Sequence, residues 1–102
     1  MTVEKAKEIV KKYNKEPFHI RHALTGGGVL RYFAEVAGED PDFWQAVGIL
    51  HDVDFELYPD LHCVKAVEIL KNEGADEETI HAVCSHGYGR TATDCKPEKH
   101  ME

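Results

Sequence analysis

Apolar side chains recur three and four residues apart along most of this chain, and no stretch alternates apolar and polar residues for long enough to make a strand. That periodicity confines the chain to an all-α fold, a compact bundle of about five helices. Val3, Ala6, Ile9, Val10 and Tyr13 mark a first helix behind Thr2, a side chain suited to the N-cap, and the pattern stops near Asn14. Pro17 can open a second helix, with Ile20, Leu24, Leu30, Phe33, Ala34 and Ala37 as its apolar positions and Gly38 as its stop. Asp40-Pro41 is a strong start for a third, whose stripe of Phe43, Trp44, Val47 and Leu50 ends on His51-Asp52. After a loop from Val53 to Pro59, a fourth helix is expected from about Asp60 through Leu70 to Gly74, and a fifth from Asp76-Glu77-Glu78 to Gly87. Pro97-Glu98-Lys99 resembles the opening of a sixth that stops before any apolar face appears.

One segment conflicts with its surroundings. The run Thr25-Gly26-Gly27-Gly28 lies inside the second helix, where three glycines cost roughly 3 kcal/mol relative to alanines if the helix is continuous. Two readings stay open. Either another helix or a ligand approaches closely enough to need the missing side chains, or the helix breaks into two. A phosphate-cradling loop is the weakest reading, because such loops follow a strand.

With 102 residues and 42% hydrophobic content the chain suits a single domain over residues 1–102 with one modest core, in which a bound metal would contribute to stability as well as chemistry. The net charge of -7, from 19 acidic and 12 basic side chains, argues against general nucleic-acid binding. It does not argue against a small phosphorylated substrate at a metal, because the ion's charge dominates locally. Cys63, Cys84 and Cys95 form no C-x-x-C pair, and read as reduced thiols acting as small hydrophobes. With neither a leader-like apolar segment nor a membrane span, a cytoplasmic location is expected, with no membrane partner.

Of the seven histidines, four fall on helices or helix ends that can converge: His22, His51, His62 and His86. Any one alone is more often a hydrogen-bonded surface or core residue; the set, with Asp52 as a hard anionic ligand, points to a divalent metal. Mixed imidazole and carboxylate donors suit manganese, iron, zinc, cobalt or nickel, and the absence of thiolate spacing argues against a structural zinc site.

These residues resemble the HD-domain metal-dependent phosphohydrolases, a family named for a His-Asp doublet at the end of a core helix. The resemblance covers most of the chain. It is carried by Ile20-Arg21-His22-Ala23, by Gly48 to Glu56 around His51-Asp52, by Leu61-His62 running on to Leu70, and by Ser85-His86-Gly87-Tyr88-Gly89. It implies that His22, His51 and Asp52 are metal ligands, and that His62 and His86 match the extra histidines of members holding a second metal. With one metal, those two would instead bind the phosphate or orient a water. Asp54 and Glu56 become candidates for catalytic work, as proton carriers or as acceptors behind the ligands, against the plainer reading of solvated loop carboxylates. Arg21 is a candidate for substrate binding, or an ordinary exposed charge. The cofactor implied is one or two divalent ions, magnesium included.

The chain also departs from the family's pattern. That pattern closes with an aspartate on a later apolar helix, and Asp94, Glu98 and Glu102 are only stand-ins without that context, so the domain reads as truncated at its C-terminus. The expected function is hydrolysis of a nucleotide or other small phosphate ester. The alternatives are a non-catalytic metal- or ligand-binding regulatory module, and a structural interaction unit that binds no metal. Apolar surface left by a shortened bundle makes a homo-oligomer an expected partner.

Overall fold

Thr2 accepts a hydrogen bond from the Lys5 N–H and so caps the first helix, α1 (Val3–Tyr13), as its sequence predicts. The computed structural model describes residues 1–58 and 64–85. Four more helices follow in it: α2 (Pro17–Ala37), α3 (Pro41–Leu50), α4 (Val64–Asn72) and α5 (Glu77–Ser85). Asp40 caps α3 by accepting from the N–H groups of Asp42 and Phe43, with Pro41 at the first helical position. Gly38 and Gly74 close α2 and the α4 region with positive φ of 74° and 80°, a conformation that costs any other residue strain. The all-α bundle expected from periodicity is the observed architecture. The expected sixth helix, and the start of the fourth before Val64, lie outside the described residues.

The core is formed by the inward faces of all five helices. Ala6, Ile9 and Val10 from α1 meet Ile49 and Leu50 from α3, with Ile69 and Leu70 from α4 and Ile80 and Val83 from α5 in the same cluster. Helix α3 is the central element, buried along Ala46-Val47-Gly48-Ile49-Leu50, which is why its stripe is broader than one face. Its widest contact is with α2.

That contact resolves the glycine run. Helix α2 is continuous through Thr25-Gly26-Gly27-Gly28, and its backbone crosses α3 at Gly48. A Cβ placed on Gly48 would stand 2.7 Å from the Gly26 carbonyl oxygen and 2.8 Å from the Gly27 Cα. One on Gly27 would meet Ile49 at 2.6 Å. Gly27 and Gly48 are therefore required by the crossing, Gly26 is tightly packed at it, where a Cβ would stand 3.2 Å from the Gly48 carbonyl oxygen, and close backbone packing offsets their cost in helix propensity. Gly28 is different, because a Cβ there meets nothing within 4 Å. Next to the crossing, Arg31 on α2 donates to Asp42 at 2.7 Å and to Gln45 at 2.9 Å, fixing the two helices in rotation as well as distance. No helix among the described residues is long and apolar enough to cross a membrane.

Candidate metal centre

His51 occupies the C-cap of α3 and keeps helical dihedrals (φ -59°, ψ -29°), so the helix hands its direction on to the turns that follow. Its Nδ1 lies 2.6 Å from the Gly48 carbonyl oxygen, one turn back. A carbonyl only accepts, so Nδ1 carries the proton, and Nε2 keeps its lone pair in the neutral ring. That Nε2 stands 3.2 Å from Oδ2 of Asp52.

Helix α2 brings His22 to the same carboxylate, with Nε2 3.3 Å from Asp52 Oδ2. The two imidazole rings lie 5.4 Å apart between centroids, and one ligand atom from each of His22, His51 and Asp52 falls within 4.8 Å of the others. Donors bound about 2.1 Å from one ion, at tetrahedral to octahedral angles, stand roughly 3.0–3.4 Å apart. The two nitrogen–oxygen distances fall in that interval. The donor set therefore fits a divalent ion of the borderline class, with hard oxygen and imidazole nitrogen together and no thiolate.

The surroundings hold the three donors in place. Phe18, one turn before His22, stacks on its ring at 6.4 Å with an interplanar angle of 9°. Past Asp52 the chain turns inward: the Val53 N–H bonds to the Leu50 carbonyl and the Phe55 N–H to that of Asp52, and Val53 is fully buried. Asn14, itself buried at the end of α1, donates Nδ2 to the Val10 and Val53 carbonyls. The turn carrying Asp52 is thus tied to α1.

Asp54 and Glu56 do not join the trio, and neither is a solvated loop carboxylate. Asp54 is fully buried and accepts the Ala66 N–H at 3.0 Å in the first turn of α4. Glu56 accepts the N–H groups of Lys15 and Glu16 at the link between α1 and α2. Burial raises the Glu56 pKa, and those two N–H groups together with His19 outweigh it, leaving the carboxyl below its ordinary range. Arg21 is exposed, and with Phe18, His22 and Thr25 it borders a recess beside His22. His62, His86, Asp94, Glu98 and Glu102 lie outside the described residues.

Sequence reasoning passed over two participants. His19 shares the His22 face of α2, with Nδ1 3.6 Å from Glu56 Oε2 and its ring edge-on to Phe55, and it borders a small recess with His22 and Asp52. The spacing of three between His19 and His22 is the signal that was available. The Gly48 carbonyl had no sequence signal, since its role depends on how the His51 ring turns.

A family model described as the HD domain matches residues 19–101, a span that contains the whole trio. No curated protein and no solved structure matches the chain.

Proposed function

The chain belongs to the HD-domain family, and on that premise we propose that it is a metal-dependent phosphohydrolase acting on a nucleotide or other small phosphate ester. The observation that carries the reading is the convergence of His22, His51 and Asp52 from two helices and a turn, with the His51 tautomer set by Gly48. A structural histidine cluster needs no such arrangement of three donors at ligand spacing.

The chemistry supplied by a divalent ion bound there is Lewis acidity, which lowers the pKa of water to about 7 and offsets charge on phosphate oxygens. The chain's own part is orientation. His51 presents Nε2 because its other nitrogen is held by the Gly48 carbonyl, the arrangement by which a partner behind a ligand fixes its ring. His22 offers Nε2 from a helix face kept at a set distance by the glycine crossing. Asp52 contributes the anionic oxygen toward which both rings turn. Arg21, exposed and bordering the same recess as His22, would meet a phosphate oxygen arriving from solvent. Asp54 and Glu56 act as acceptors behind the site: one anchors α4, the other holds the α1–α2 link under His19.

The test has two stages. Elemental analysis of protein purified without chelator, beside a His51→Ala, Asp52→Ala double variant, is expected to show stoichiometric metal only in the parent chain. Hydrolysis of at least one member of a panel of nucleotides and other small phosphate esters, aryl phosphates included, with manganese added, is then expected from the parent alone. Metal without turnover of any ester would replace the hydrolase by a metal-binding regulatory module. No metal in either protein would leave the histidines a structural role.

A further inference from the structure

A cavity of about 390 Å³ opens between α2, α3 and α5, directly against the two histidines of the trio. His22 and His51 stand in its wall. Away from them the lining turns apolar, through Val29, Leu30, Val47 and Ala82. The other described residues in the wall are Thr25 and the two crossing glycines, Gly26 and Gly48, so among the described residues no lysine, arginine, aspartate or glutamate borders the space. The glycines help to make it: a Cβ on Gly26 would stand 3.1 Å from Cε1 of His51, in the corner where the cavity meets the ring.

Its volume falls within the roughly 300–1,000 Å³ typical of small-molecule sites, and an apolar body with a few polar groups at one end is the usual form of such sites. An inorganic phosphate has no apolar surface to bury there. A sugar or a second phosphate would lose hydration against Val29, Leu30 and Val47 and find no charged partner among the described residues in exchange. A compact apolar ring or chain loses nothing and gains about 25 cal/mol for each Å² removed from water. The cavity and the donor trio together match a molecule that is anionic at one end and apolar at the other.

We propose that this cavity is the subsite for the organic group of the substrate, and that the substrate is a phosphomonoester of a compact apolar alcohol or phenol rather than a sugar phosphate or polyphosphate. The inference rests on the metal-dependent reading of the trio. Within that reading it names the substrate class, and it makes Val29, 48% exposed at the cavity's edge, a specificity-determining residue.

The test compares two esters with the same phosphate head, 1-naphthyl phosphate and methyl phosphate, binding to manganese-loaded protein by titration calorimetry after manganese binding has been measured alone. The naphthyl ester is expected to bind about tenfold tighter or better, from burial of its ring. Val29→Asn, which keeps the size but adds a polar end, and Val29→Trp, which fills the space, are both expected to bring that ratio toward one while circular dichroism and manganese affinity stay at the parent values. Manganese binding with equal affinity for the two esters overturns the subsite and leaves the metal reading standing. A naphthyl preference that neither variant changes also overturns it, because the ring then sits elsewhere. A chain that binds no manganese sinks both readings at once.

Discussion

The Gly48 carbonyl oxygen and Nδ1 of His51 are 2.6 Å apart, which makes the residue that admits α2 also the residue that orients a candidate metal ligand. The absent side chain of Gly48 lets the Gly26-Gly27 backbone approach, and that approach brings His22 within reach of Asp52. Helix packing and donor geometry are therefore coupled through a single position.

Substituting that position separates the glycines by role. Gly48→Ala forces a Cβ to 2.7–2.9 Å from three backbone atoms of Gly26 and Gly27, and is expected to destabilise the fold by about 1–3 kcal/mol, as overpacking does. Gly28→Ala meets open space and is expected to stabilise by about 0.5–1 kcal/mol through helix propensity alone. Urea denaturation of both variants checks this, and equal midpoints would disprove the crossing.

Metal should stabilise the parent chain through the trio. Manganese at about 100 times its dissociation constant is expected to add about 2.7 kcal/mol, seen as a rise in Tm. His22→Ala and Asp52→Asn should each lose most of that rise, since each removes a donor from a set of three. A full metal-dependent shift in either variant would place the ion elsewhere.

Asp54 tests a buried acceptor. Asp54→Ala leaves the Ala66 N–H without its carboxylate partner, at an expected cost of about 1–3 kcal/mol, while hydrolysis per folded molecule should change little. Loss of turnover at unchanged stability would instead assign Asp54 a direct part in proton transfer.

Glu73 should contribute acid sensitivity. Its carboxylate accepts from Lys12 at 2.7 Å and Tyr13 at 2.9 Å, joining α1 to the end of α4, and the Lys12 bond followed by that of Tyr13 holds its pKa below the ordinary value. A lowered folded-state pKa means that this stabilisation is complete above the unfolded value, about 4.3, and is lost as pH falls through the folded one. Glu73→Gln is expected to be less stable than the parent at neutral pH and to lose less on acidification below about pH 4. Thermal melts at pH 7 and pH 3 measure both slopes; parallel slopes would refute the linkage.

Most of the helical framework was legible in local signals. Thr2, Asp40-Pro41, Gly38 and Gly74 act within one turn of themselves, so their meaning does not depend on what the rest of the chain does. The His51-Asp52 pair was legible too, because adjacent donors at a helix end can serve one ion whatever surrounds them. Residues 14 to 37 were less transparent. The sequence left the glycine run open between a break and a close approach, and only the pairing of α2 with α3 selects the second, since the atoms that need the space belong to Gly48 and Ile49. Likewise, nothing in the order Asp54, Phe55, Glu56 distinguishes a solvent-facing loop from one whose first acid is buried under α4 and whose second holds the α1–α2 link. The sequence by itself determined which segments are helical and which donors are available. Tertiary packing decided which donors meet, because that depends on how closely two backbones distant in sequence come together.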